Sequence, residues 1–258
     1  NEIVKNRGGG DCLFITIRDG LKRVGRDVSV SEMRQILSEN ATQTLFEGYK
    51  TQFDNINSET QLLKDEIKRL KSEFKDLKTR LEKSNDRTLN VAIIEQSNEI
   101  LKRYKTAQSE LKNAKELLGE FNFMTNVKSI DDFKKILLTS DYWADTWAIS
   151  TLENNLKVKL IIFSSESFKA GDLENVLQCG QLNDEDEDNF EPSHYIMANY
   201  LGNHYELVTY KDRGALTFKE LPYDIKRLIV DKCLEGLSGP YFIIREFRKF
   251  FEEKNVSS

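Results

Sequence analysis

Histidine is nearly absent from this 258-residue chain, which holds only His194 and His204. An imidazole base working at neutral pH has to be one of these two. Cysteine is almost as scarce, with Cys12, Cys179 and Cys233. Two histidines and three scattered cysteines give no zinc-ligand spacing, and no Cys-x-x-Cys pair occurs. The odd cysteine count speaks against a disulfide framework and for a reducing, cytoplasmic compartment. No apolar run approaches the length of a membrane span, so no membrane partner is expected. Gly8-Gly9-Gly10 is not followed by Gly-Lys-Ser/Thr, which excludes a Walker loop. A net charge of −5, with lysine and arginine mixed among acids, leaves no basic stripe for nucleic acid. The polar start from Asn1 to Gly10 does not read as a signal peptide, and the missing initiator Met leads us to expect a fragment.

What is present divides by composition. Hydrophobic residues, at 39%, sustain a sizeable core, while the charged fraction of 31% asks for a solvated, helix-rich surface. From Tyr49 to Leu118 neither proline nor glycine interrupts a run of Lys, Glu, Asp, Gln and Asn. Ile56, Leu63, Leu70 and Leu77 fall seven apart, and Ile67, Phe74 and Leu81 stand four residues on from the later three. After a polar break at residues 84–88, Ile93, Ile100, Ala107 and Ala114 repeat the pattern, with Tyr104, Leu111 and Leu118. Two heptad seams around a short turn predict an antiparallel helical hairpin, a spacer or an arm that holds a partner. With the seam closed inside the hairpin, Phe46, Tyr49, Phe53, Phe121 and Phe123 at its base are the aromatics free to meet a partner.

The remaining sequence predicts an α+β globular part. A helix begins near Cys12 (Leu13, Phe14, Ile17, Leu21), and a second follows with Ser31 as its N-cap. Asp141 is read as the cap of a helix carrying Trp143, Trp147, Ile149 and Leu152. Val158–Phe163 reads as a buried strand, and Tyr195–Tyr200, a Leu201-Gly202-Asn203 turn and His204–Tyr210 read as a hairpin. The tail is helical, with helix starts at Pro222 and Pro240.

One thiol stands where chemistry is favoured. Cys12 follows three glycines and opens a helix, whose N-terminal partial charge lowers a thiol pKa. The N–H groups of Gly9, Gly10 and Asp11 can face a developing oxyanion. The bland alternative is a buried structural cysteine. His204 starts a strand after a turn, and Glu206, two residues on, shares its face and can orient the imidazole. The alternative there is a cross-strand polar pair. His194 has no acid two residues away and reads as a loop histidine.

These residues resemble a known family. Gly9-Gly10-Asp11-Cys12-Leu13-Phe14 resembles the Asp-Gly-Asn-Cys-Leu-Phe signature of ovarian-tumour (OTU) deubiquitinases, and Asn203-His204-Tyr205-Glu206 resembles their Asn-His-Tyr-acid/amide signature. Residues 142–147 look like the family's Trp-containing helix. The Gly-Gly-Gly-Asp-Cys variant looks most like members from large DNA viruses, and the helical insertion is similar to that of some bacterial effectors. The resemblance implies a papain-like OTU fold in two parts, residues 1–48 and 121–213. A hairpin insertion over residues 49–120 separates them, and a helical C-terminal extension covers residues 214–258. It further implies a thiol-dependent ubiquitin hydrolase without cofactor or metal. Its catalytic residues are Cys12, His204 and Glu206, and its substrate contacts Trp143, Asn203 and Tyr205. Ubiquitin or polyubiquitin chains are its partner, and it is a monomer in the cytosol (the host's, if viral). The acidic stretch Asp184–Asp188 would face the arginine-bearing tail of ubiquitin. Two departures stand out: Gly9 replaces the family's Asp, and Asp11 its Asn, setting a negative charge beside the thiolate. A non-cleaving ubiquitin-binding module and a coiled-coil scaffold remain as alternatives.

Overall fold

The computed structural model describes residues 2–181, 190–234 and 236–256. In chain order the elements begin with β1 (Glu2–Val4), α1 (Cys12–Lys22), α2 (Val30–Asn40), α3 (Gln43–Lys83), α4 (Arg87–Glu120) and α5 (Ile130–Leu137). Then come α6 (Thr146–Leu156), β2 (Val158–Ser164), α7 (Ser165–Lys169), β3 (Leu177–Gln178), β4 (His194–Tyr200), β5 (Tyr205–Thr209), α8 (Tyr223–Cys233) and α9 (Arg245–Val256). The chain is therefore α+β, with nine helices and one five-stranded mixed sheet among the described residues. It divides into two compact units, residues 1–41 with 134–258, and residues 42–133.

In the first unit the sheet runs in the order β1-β5-β4-β2-β3, with β2 and β4 parallel and every other pair antiparallel. The central strands are apolar because both faces are covered. Ile161, Tyr195 and Met197 point to one face, where they pack with Leu216, Ile229, Val230, Tyr241 and Phe247. The tail beyond residue 213 thus closes the core of this unit. By alternation, Leu160, Ile162, Ile196 and Ala198 line the other face. There α1 comes close: a Cβ on Gly20 would sit 3.2 Å from Ile196 Cγ2. The β4–β5 hairpin closes through the Leu201 N–H, which donates to His204 O at 2.9 Å. β1 carries no sequence signal of its own; three residues suffice because β5 supplies its partner.

Local capping corrects two expectations. Ser29, not Ser31, caps α2: its hydroxyl accepts from Glu32 N and its N–H donates to the Glu32 carboxylate. That reciprocal pair needs Ser and Glu three residues apart, which Ser31 cannot offer. Asp145, not Asp141, caps α6 by accepting from Ala148 N at 3.1 Å. Trp143 therefore lies in the loop before the helix rather than on it.

The cysteine expectation is also corrected. Cys179 and Cys233 form a disulfide across 54 residues, their Cα atoms 5.5 Å apart. One pair and one free thiol also make an odd number. Pairing follows the approach of the β3 end to the last turn of α8, which spacing along the chain does not encode. The odd count therefore lends no support to a reducing compartment. No helix among the described residues is long and apolar enough to cross a membrane.

The second unit is the hairpin, entered earlier than residue 49. Thr42 caps α3 by accepting from Leu45 N, and Asp86 caps α4 by accepting from Thr88 N and Leu89 N. Leu70, Leu77, Ile93 and Ile100 form its apolar seam, flanked by Leu81 and Tyr104, and Arg103 bridges to Glu66 at 2.7 Å. Phe74, expected in the seam, is 38% exposed, whereas Thr60 is buried. The aromatics at the base are not free for a partner as expected. Phe46 is buried, and Tyr49 packs on Phe121, Phe123 and Phe133, because the open end of a two-helix seam needs its own apolar plug.

The Thr60 hydroxyl is buried without a hydrogen-bond partner. Replacing it by the same shape without the polar atom removes an unmet desolvation cost. Thr60→Val is therefore expected to stabilise the hairpin by about 1 kcal/mol in urea unfolding. A comparable loss of stability would refute this account of the seam.

Candidate active site

Cys12 is the first residue of α1 and is 4% exposed. Its N–H donates to Gly9 O at 3.2 Å, closing the four-residue turn Gly9–Cys12. Gly9 has φ +92°, a conformation that favours glycine. Gly10 is glycine for a steric reason, since a Cβ there would lie 1.9 Å from Ser140 O. Burial pushes the Cys12 thiol up, and the Asp11 charge adds to that. The N–H groups of Tyr205, Leu13 and Cys12 itself pull it down.

The thiol is stitched to the start of β5. Asn6 Nδ2 donates to Tyr205 O at 2.8 Å, to Thr16 Oγ1 at 3.3 Å and to Cys12 O at 3.4 Å. Asn6 thereby joins the backbone of Cys12 to that of Tyr205, the residue next to His204. His204 itself lies against the glycine loop: a Cβ on Gly8 would come 3.0 Å from its Nδ1. His194 stands at the other end of β4. Tyr200 pairs with Tyr205, and His194 and Tyr200 are the two ends of the seven-residue β4, roughly 20 Å apart. Burial, and then Arg26, hold its imidazole below the usual histidine range, and Nδ1 meets Ser193 Oγ at 3.0 Å.

Glu206 is buried and pairs in register with Asn199. Its carboxylate accepts from Asn199 Nδ2 at 3.1 Å, and Asn199 Oδ1 in turn accepts from Ser165 Oγ. No His204–Glu206 hydrogen bond is formed among the described residues; the carboxylate is held one strand away.

Trp143 stands 48% exposed beside Gly10, its Cδ1 3.2 Å from where a Gly10 Cβ would be. Asn203 is exposed in the turn after Gly202, whose φ is +90°. The Tyr205 ring packs at a tilt against Tyr200 with centroids 4.8 Å apart, and burial pushes its hydroxyl well up.

No protein-family model, no curated protein and no solved structure matches the chain.

Two residues of this site carry no sequence signal. Asn6 is one. Arg34 is the other: it is 3% exposed, bonds Asp11 Oδ1 through Nε at 2.9 Å and through Nη2 at 2.6 Å, and lies over the Phe14 ring. Arg34 falls on α2, so only the packing of α2 on α1 brings it here. The Asp11 carboxylate is thereby engaged, and α1 has no side-chain cap. The same ion pair draws the Asp11 charge toward Arg34. The acidic stretch Asp184–Asp188 lies outside the described residues. Among the described residues no group of three His, Cys, Asp or Glu is gathered in a way that could hold a metal ion.

Proposed function

We propose that the chain is a cysteine hydrolase of the OTU type, acting on peptide or isopeptide bonds at the C-terminus of ubiquitin. One juxtaposition supports this: the free thiol, at a helix start after a glycine turn, is on a residue tied through Asn6 to the backbone next to His204. In the reaction His204 takes the Cys12 proton, and the sulfur adds to the scissile carbonyl. The N–H groups of the glycine turn receive the oxyanion. The imidazolium then hands its proton to the leaving amine, giving a thioester and free lysine. Water, deprotonated by His204, attacks the thioester and restores the thiol. Asn6 keeps the two reacting residues together by bridging α1 to Tyr205. Trp143, exposed beside Gly10, and Asn203, exposed next to His204 in the chain, would contact the extended C-terminal tail of the substrate. The hairpin would serve as a recognition arm, presenting apolar residues off its seam such as Leu89, Val91 and Ile94.

A second reading has its own observation. Cys12 is almost wholly buried and Glu206 is engaged by Asn199, which suits a module that holds ubiquitin without cleaving it. Ubiquitin bearing a C-terminal electrophile separates the two. A single covalent adduct, mapped by mass spectrometry to Cys12, is expected for the hydrolase. Tight binding with no adduct would turn the assignment to the binding module.

A further inference from the structure

Arg34 makes more contacts than a structural ion pair needs. Besides Asp11, its Nη2 donates to Gly10 O at 3.0 Å and to Tyr142 O at 3.3 Å, and its Nη1 donates to Leu137 O at 3.0 Å. Gly10 O belongs to the central peptide of the Gly9–Cys12 turn. In a trans peptide the C=O and the following N–H point in opposite directions. Drawing Gly10 O to the buried guanidinium therefore turns the Asp11 N–H to the opposite side of the peptide. Among the described residues neither the Gly10 nor the Asp11 N–H has an acceptor.

A turn of this kind has two states that differ by a rotation of its central peptide. Asp11, at φ −98° and ψ −2°, occupies the third position of a type I turn. The rotated state, type II, demands positive φ at that position, where a side chain is disfavoured. Two features thus favour one peptide orientation: the bond from Arg34 to Gly10 O, and a residue other than glycine at position 11.

We propose that Arg34 is a positioning residue, which holds the Gly10–Asp11 peptide so that the Asp11 N–H is presented as an oxyanion donor to the carbonyl attacked by Cys12. This rests on the hydrolase assignment, and the experiment keeps the two apart. Two probes of Cys12 are compared. Iodoacetamide alkylates the thiolate: an S–C bond forms, iodide leaves, and no oxyanion develops. Ubiquitin C-terminal aldehyde adds the sulfur to its carbonyl carbon, and the carbonyl electron pair goes to oxygen, which needs the donor.

For Arg34→Gln, aldehyde affinity and kcat are expected to fall by about 100-fold, the cost of one oxyanion donor. KM, and alkylation of the fully ionised thiol read from its high-pH plateau, should stay within about threefold, because neither uses that donor. Arg34→Lys should rescue only in part, since an ammonium lacks the planar fork. Should Arg34→Gln not fold, Asp11→Gly and Asp11→Ala serve instead. Both lack the carboxylate, and only glycine frees the turn to rotate, so Asp11→Gly should lose more aldehyde affinity than Asp11→Ala. Equal losses in those two variants overturn the proposal. So does a parallel fall of aldehyde binding and alkylation in Arg34→Gln, which marks a merely structural role. A wild-type protein that binds no aldehyde and is not alkylated at Cys12 removes the hydrolase assignment itself.

Discussion

Cys12→Ala is expected to bring cleavage of a ubiquitin C-terminal substrate to the assay background, a loss on the order of 10⁶-fold if the thiol is the nucleophile. Nothing else near the turn can form the thioester. The contrast lies in the other two cysteines. Cys179 and Cys233 are joined to each other and so have no free thiol. The double variant Cys179→Ala/Cys233→Ala should keep kcat/KM per folded molecule within about threefold. It should lose stability, about 2–5 kcal/mol by the usual cost of a removed disulfide. Steady-state kinetics beside a denaturant titration read both effects. Retained turnover in Cys12→Ala would end the hydrolase assignment.

His204→Ala is expected to cost about 10²- to 10⁴-fold in kcat, the range of a positioned acid–base group. His194→Ala, at the far end of β4, should leave kcat/KM unchanged. Burial and the Asp11 charge both raise the Cys12 thiol. A thiol pushed up is protonated at neutral pH unless a cation or base adjoins it. The sign follows: without His204, alkylation by iodoacetamide should need higher pH than in the wild type. Glu206→Gln should cost less, about tenfold, because the carboxylate is held on Asn199 and reaches the imidazole only on rearrangement. Equal losses for the two histidines, or unchanged alkylation profiles, would show that the wrong base has been chosen.

Much of the site can be read along the chain because its parts are local. The glycine turn, Cys12 and the start of α1 are consecutive, so the turn and the helix start show as composition and periodicity. The turn that ends at His204 and the strand β5 after it are equally contiguous. Glu206 shows the limit of that reasoning. Alternation predicts it on one face with His204, but His204 precedes β5, and the carboxylate meets Asn199, a cross-strand partner that only the β4–β5 register supplies. Trp143 shows another. Its helical spacing to Trp147 suggested one helix, yet the Asp145 cap starts α6 after it.

The sequence by itself determined the elements whose causes lie within a few residues: the heptad seams of the hairpin, the apolar strand β2, the β4–β5 turn, and the thiol at a helix start. Helical and strand periods and turn residues act over short range, so they survive in a linear reading. Tertiary structure alone decided three other matters. It joined Cys179 to Cys233 across 54 residues, and it set the Glu206 carboxylate on Asn199. It also brought Arg34 under the Gly10–Asp11 peptide from a helix 23 residues away. Each depends on which surfaces pack together. Packing is set by summed burial over the whole unit rather than by any local pattern, and so it leaves no mark at the residues it brings into contact.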